Sequence, residues 1–203
     1  MTLIEAQQKI KALGVPLFQT SDAAICCGIT RPHASKTLAR LADAGIVFSA
    51  ARGLWGFVGA VDPLLLPESL TAPAPSYVSL YSALFYHGMI SQIPENVYAV
   101  SLARTRKHKT PLGTISIHHL HESFFFGFES VGDWGVKMAT PEKALLDTFY
   151  LYRARSGWFK KLPELSMPSS FNRQYAFDMI KKIPSLRTRT LVQKKLEKIL
   201  PPF

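Results

Sequence analysis

The chain has almost no cysteine, few acidic residues and no long apolar run. Among its 203 residues the only cysteines are the adjacent Cys26 and Cys27. Neighbours of that kind supply neither a disulfide framework nor a zinc-binding spacing, and they read as small buried side chains. No apolar stretch reaches the 18 or so residues of a membrane span. The opening "MTLIEAQQKIKALG" is an amphipathic helix pattern without the apolar segment of a signal peptide. A soluble, cytoplasmic protein is the expectation. The sequence also lacks a Gly-rich phosphate loop, a nucleophile elbow, a paired metal motif, internal repeats and low-complexity tracts. Neither catalysis nor a metal or cofactor is expected.

What is present is a 47% hydrophobic, 19% charged composition, enough to bury a real core, and a net charge of +10. That charge is unevenly placed. Residues 1–60 carry +3 and residues 61–150 carry −2, while residues 151–203 hold twelve basic and three acidic residues, a local charge of +9. A basic balance of this kind favours nucleic acid as partner through counterion release.

In the first sixty residues the spacing predicts a helix over 3–13, closed by Gly14, and a short helix capped by Ser21 or Asp22 that runs to about Cys27. Gly28 allows the left-handed turn that follows. A further helix opens at Thr30 or Arg31, with Pro32 in its first turn and Gly45 after its end. Ala34, Leu38, Leu41 and Ala42 make its apolar stripe, and its other face offers Arg31, His33, Ser35, Lys36 and Arg40. Two β-prone runs, Ile46–Ser49 and Leu54–Val58, flank Arg52-Gly53 and read as a hairpin with a basic tip. Three helices followed by a basic hairpin predict a winged helix-turn-helix, with DNA-contacting candidates Arg31, His33, Ser35, Lys36, Arg40, Arg52 and Gly53. A structural winged helix used for protein contact is the alternative.

Residues 61–75 read as a Pro-rich linker with an apolar anchor at Leu64–Leu66. Residues 76–203 read as a second, mixed α/β domain. A buried helix is expected from Ser76 to Gly88, followed by a small sheet of about four strands: Val97–Leu102, Thr114–Leu120, Phe124–Phe128 and Gly135–Met138. Thr140 should cap a helix over 141–154, with Pro141 and Glu142 in its first turn. Helices over Asn172–Ile183 and about Leu186–Leu200 complete the chain. The last presents a second basic surface: Arg187, Arg189, Lys194, Lys195 and Lys198. The fold class is therefore α+β.

Other details carry less. His119 and His121, in "IHHLH", share a strand face at a spacing that can hold a metal, yet no ligand cluster of fixed spacing accompanies them. "RTRKHKT", residues 104–110, reads as a hairpin loop that serves either as a phosphate contact or as a solvated turn. Tyr77, Tyr81, Phe85 and Tyr86 read as helix core. Asp133, Glu142, Lys143 and Asp147 could form a nuclease-like set, although a helix start explains Glu142.

The segments "GITRPHASKTLARLADAGIV", "RGLWGF", "PSYVSLYSALFYHGMI", "VYAVSLARTR", "GTISIHHL", "FFFGFE" and "MATPEKALLDTFYL" follow one another from about residue 20 to 152. In that order they resemble the AbiEi family of antitoxins from bacterial abortive-infection systems, and "ATPEKALLD" paired with "SALFYHG" carries most of the likeness. The resemblance implies an N-terminal winged helix that represses its own operon by binding double-stranded promoter repeats. It also implies a C-terminal domain that counteracts a nucleotidyltransferase-like toxin encoded alongside, in several systems without direct contact. Only the helix around Arg31–Arg40 and the wing at Arg52-Gly53 map onto DNA-contacting elements, and no catalytic residue transfers. Two other readings are a ligand-sensing transcriptional regulator without a toxin and a DNA-targeted nuclease-like enzyme.

Overall fold

A computed structural model describes residues 1–152 and 163–200. The chain is α+β and divides into two compact units, Met1–Leu70 with Lys109–Gly113, and Thr71–His108 with Thr114 onward. No helix among the described residues is long and apolar enough to cross a membrane.

In the first unit, α1 (Leu3–Lys11) begins in a capping box: Glu5 N–H donates to Thr2 Oγ1 and Thr2 N–H to the Glu5 carboxylate. Strand β1 (Leu17–Gln19) leads straight into α2 (Thr20–Cys27), whose Asp22 carboxylate accepts the Gln19 N–H at 2.7 Å. Asp22 therefore serves from the first turn, and neither it nor Ser21 is the cap. Gly28 takes φ +66 and reverses the chain into α3 (Arg31–Asp43). Strands β2 (Val47–Ala51) and β3 (Leu54–Phe57) form an antiparallel hairpin that β1 joins on the β3 side, in the order β1-β3-β2. One core holds these pieces together: Ala6 and Ile10 of α1, Phe18 of β1, Ala23 and Cys27 of α2, Leu38 and Leu41 of α3, and Val47 of β2.

Gly56, in the middle of β3, is required by space. A Cβ there would lie 2.7 Å from Val61 Cγ2 and 2.8 Å from the Phe48 ring. Gly56→Ala is expected to destabilise this unit by about 1–3 kcal/mol through overpacking, read as a lower midpoint in chemical denaturation.

Residues 61–75 are largely structured. Asp62 caps a 3-10 turn, Pro63–Leu65, and α4 (Leu66–Thr71) follows directly, with Leu66 fully buried. In the second unit the sheet has six strands where four were expected. The order is β6 (Arg106–Thr110), β7 (Gly113–His119), β5 (Val97–Ser101), β4 (Ser76–Val78), β9 (Val136–Ala139), β8 (Phe128–Val131). Two of the extra pairings come from segments read otherwise. Ser76–Val78 leaves the expected helix and pairs antiparallel with β5 and parallel with β9, so Tyr77 sits on a strand. The basic segment 106–110 is an edge strand and not a loop. The third expected strand is displaced: Glu122–Phe124 is a 3-10 turn with Phe124 buried, and pairing begins at Phe128. In the run "FFFGF", Phe124 is buried, while Phe125, Phe126 and Phe128 are half-buried.

After β4 the chain turns into α5 (Leu80–Tyr86), with the buried Leu80 at φ +57. Helix α6 (Pro141–Leu151) starts at the Thr140 cap as expected, and its expected last residues lie outside the described ones. It is buried along nearly its whole length, packing on α5 and on the C-terminal helices α7 (Arg173–Ile180) and α8 (Leu186–Ile199).

Candidate nucleic-acid interface

Helix α3 is built with two unlike sides. Ala34, Thr37, Leu38 and Leu41 are buried, while Arg31, His33, Ser35, Lys36 and Arg40 are all exposed. At 100° per residue, Lys36, Arg40 and His33 run along one flank of the open arc, and Arg31 and Ser35 along the other. Pro32 and Ala39 lie between the flanks, with the exposed Asp43 between them only at the last turn, so no bulky side chain blocks close approach to the middle of the helix. Thirteen residues make a cylinder roughly 20 Å long, slim enough for a DNA major groove about 12 Å wide.

The start of α3 is also open. Thr30 makes no side-chain cap bond, and Pro32 in the first turn has no N–H to satisfy. The helix dipole therefore adds positive potential at the end that carries Arg31. Among the described residues, no ion pair engages Arg31, Lys36, Arg40 or Arg52. Their charges remain available to an outside anion.

Arg52 is exposed at the β2–β3 turn, and Gly53 follows it at φ +79. This turn is tied down. The Gly53 carbonyl accepts the Thr20 N–H at 2.9 Å and the Thr20 hydroxyl at 3.4 Å, and the Trp55 indole N–H donates to Thr20 Oγ1 at 2.9 Å. Sequence reasoning missed Thr20. The available signal was Trp55 itself, since a partly buried indole N–H in a short strand needs an acceptor.

The five residues of the C-terminal basic surface are not equivalent. Arg187, Lys194 and Lys198 are exposed on α8. Arg189 is turned inward in function, donating through Nε and Nη2 to the Ile183 carbonyl at 3.1 and 2.7 Å. Lys195 lies 3.1 Å from the centre of the Tyr152 ring. Burial, with Lys198 beside it, lowers its pKa from the usual amine value. The β6 residues Arg106, Lys107 and Lys109 are exposed on the sheet edge, and Arg104 precedes them.

The other suggestive clusters resolve into separate arrangements. The strand ends at His119, and His121 caps the next 3-10 turn, so the two imidazoles do not share a strand face. The neighbouring His118 is buried against Ser116 Oγ, and burial holds its pKa down to about 4. No group of three or more potential metal ligands occurs among the described residues.

Asp133 is exposed in the β8–β9 turn, whereas Lys143 and Asp147 form an ion pair with both side chains 0% exposed. Asp147 Oδ2 also accepts from Tyr77 Oη at 3.0 Å and Ser79 Oγ at 2.7 Å. Lys143 Nζ lies 3.7 Å from the Phe124 ring centre. Burial raises the Asp147 pKa and lowers that of Lys143, and their mutual attraction opposes both shifts. Glu142 accepts the Asn172 N–H at 2.6 Å, a tie from α6 to the start of α7. These side chains are brought together as a core network, and neither Lys143 nor Asp147 has surface that a substrate could reach.

Compared with known protein families and with curated proteins, the chain matches none.

Proposed function

We propose that this protein is a DNA-binding antitoxin. Its first unit is a winged helix-turn-helix that represses its own operon, and its second unit counteracts a nucleotidyltransferase-like toxin. The observation that carries the DNA-binding reading is the open face of α3. Arg31, His33, Ser35, Lys36 and Arg40 are exposed together on a helix braced by Leu38 and Leu41. In this reading α2 and α3 are the helix-turn-helix, and the β2–β3 hairpin is the wing that carries Arg52 to a backbone phosphate or the minor groove. Lys36 and Arg40 reach phosphates or guanine edges, where a bidentate arginine contributes about 1–3 kcal/mol of discrimination.

The antitoxin half of the reading rests on the family resemblance. Its two most distinctive segments, "SALFYHG" and "ATPEKALLD", meet in one place. His87 Nε2 of the first lies 2.7 Å from the accepting Ala139 carbonyl of the second. That meeting supports treating them as parts of one functional body.

Two experiments test the two halves. Footprinting on the DNA upstream of the chain's own gene should show a protected site, and Lys36→Ala with Arg40→Ala should weaken binding there by about 10- to 100-fold. Thermal stability should stay within about 0.5 kcal/mol of wild type, because both side chains are exposed. Co-expression with the product of the adjacent gene should restore growth if that product is the toxin, and should do so equally with the α3 variant. A protein that protects no DNA would overturn the repressor reading, and failure to rescue growth would overturn the antitoxin reading.

A further inference from the structure

Resting on the DNA-binding reading, we infer that Thr20 is a positioning residue for Arg52, a clamp that fixes the β2–β3 turn on the first residue of α2. The backbone geometry comes first. Strand β1 pairs with β3 in the register Leu17↔Gly56, Phe18↔Trp55, Gln19↔Leu54. The next rung is Thr20 N–H to the Gly53 carbonyl at 2.9 Å, so the ladder runs on into the turn. Helix α2 begins at that same residue. The tip of the hairpin is thus bonded to the start of the helix that packs on α3.

The Thr20 side chain closes the clamp. Its hydroxyl accepts from Trp55 Nε1 at 2.9 Å and points its own proton at the Gly53 carbonyl, 3.4 Å away. One oxygen thereby holds Gly53, the residue after Arg52, and Trp55, two residues further along β3. Thr20 is buried while Arg52 is exposed, so Thr20 is not itself placed to touch a duplex. A hairpin tip without such ties samples many orientations, and a phosphate contact made from it loses affinity to the ordering it requires. A tip held in place before binding avoids that loss.

The consequence is a coupling between a buried hydroxyl and an exposed guanidinium. Thr20→Val keeps the shape and the backbone rung but removes the acceptor for Trp55 and the second donor to Gly53. Thr20→Ser keeps both bonds. Full-length Thr20→Val is expected to bind a duplex carrying the chain's own upstream sequence about threefold to tenfold more weakly, with Thr20→Ser near wild type. The decisive readout is the double-mutant cycle with Arg52→Ala. In an Arg52→Ala background, Thr20→Val should cost no further affinity, whereas the loss caused by Lys36→Ala should remain in full.

Three results would overturn the inference. Losses from Thr20→Val and Arg52→Ala that simply add would mean that Thr20 acts on fold and not on Arg52. An Arg52→Ala protein that binds as wild type would remove the contact Thr20 is said to position. A Thr20→Ser protein as weak as Thr20→Val would remove the hydroxyl from the argument. The Lys36→Ala arm separates these failures from failure of the DNA-binding reading: if it has no effect either, that reading falls and the clamp falls with it.

Discussion

Replacing Lys143 by methionine is expected to cost the second unit about 3–5 kcal/mol, enough to unfold much of it at moderate urea concentrations. The size of the effect comes from what remains. Asp147 would keep its two hydroxyl donors, Tyr77 and Ser79, but would lose the one cation paired with it among the described residues, at a position with no solvent exposure. An ionised carboxylate left in that surrounding is costly, so the group protonates instead.

The pH dependence follows in sign. Burial already raises the Asp147 pKa, and the attraction of Lys143 is the largest opposing influence, so removing the lysine raises it further. A carboxyl whose folded pKa is raised contributes its stability in acid, below the unfolded value of about 3.9. It loses that contribution as pH climbs toward the folded value. The deficit of the variant relative to wild type should therefore be widest near neutral pH and should shrink on acidification. Adding Asp147→Asn, which keeps an acceptor for both hydroxyls without the charge, should recover most of the loss. Urea denaturation from acid to neutral pH reads all three. A neutral-pH deficit under about 1 kcal/mol, or one that grows in acid, would contradict the account.

Leu38→Ala is the second large effect, and it falls on the first unit. Leu38 is fully buried among Ile10, Phe18, Leu41 and Val47, on the side of α3 opposite Lys36 and Arg40. Truncation removes apolar contact and leaves a cavity, a loss of about 2–5 kcal/mol. A unit of this size has little reserve, so the midpoint should fall on the order of 10–30 °C. Ala39→Ser, one residue on and exposed, should leave stability within about 0.5 kcal/mol. The pair distinguishes the two sides of α3: the first change removes buried packing, the second changes neither fold nor charge. A Leu38→Ala protein melting within about 3 °C of wild type would mean that α3 is not braced as described.

How legible these features were in the sequence depended on how local their causes are. Helix α3 could be read closely, because Pro32, the 34/38/41 stripe and Gly45 mark its start, its packing side and its end within fifteen residues. Gly28 likewise announced the turn before it. Strand β1 is three residues long, too short for alternation to show, and it exists only because β3 is there to pair with. Ser76–Val78 reads as helix because Val78 fits the apolar spacing of Tyr81, Ala83, Leu84 and Phe85, with no Gly or Pro between it and α5. Its strand character comes from β5 and β9, each about twenty or more residues away. The β6 charges suggested a loop, although lysines are also what an exposed edge strand carries to discourage strand addition. Among the candidate site residues, the exposure of the α3 set was legible from an amphipathic pattern, and that of Arg52 from its place beside Gly53 between two β-prone runs. Thr20 was not, and Lys143 and Asp147 were visible only as charges and not as a buried network, since each depends on partners brought from distant positions: Gly53 and Trp55 for one, Tyr77 and Ser79 for the other.

A salt titration of duplex binding probes the open cationic side of α3 most directly. Log affinity is measured against log salt for wild type and for the variant lacking the Lys36 and Arg40 charges. If both side chains sit on phosphates, the slope should become shallower by roughly 2, at about 0.9 per released contact, and affinity should drop at every salt concentration. Superimposable lines for the two proteins would show that nucleic acid does not meet this helix.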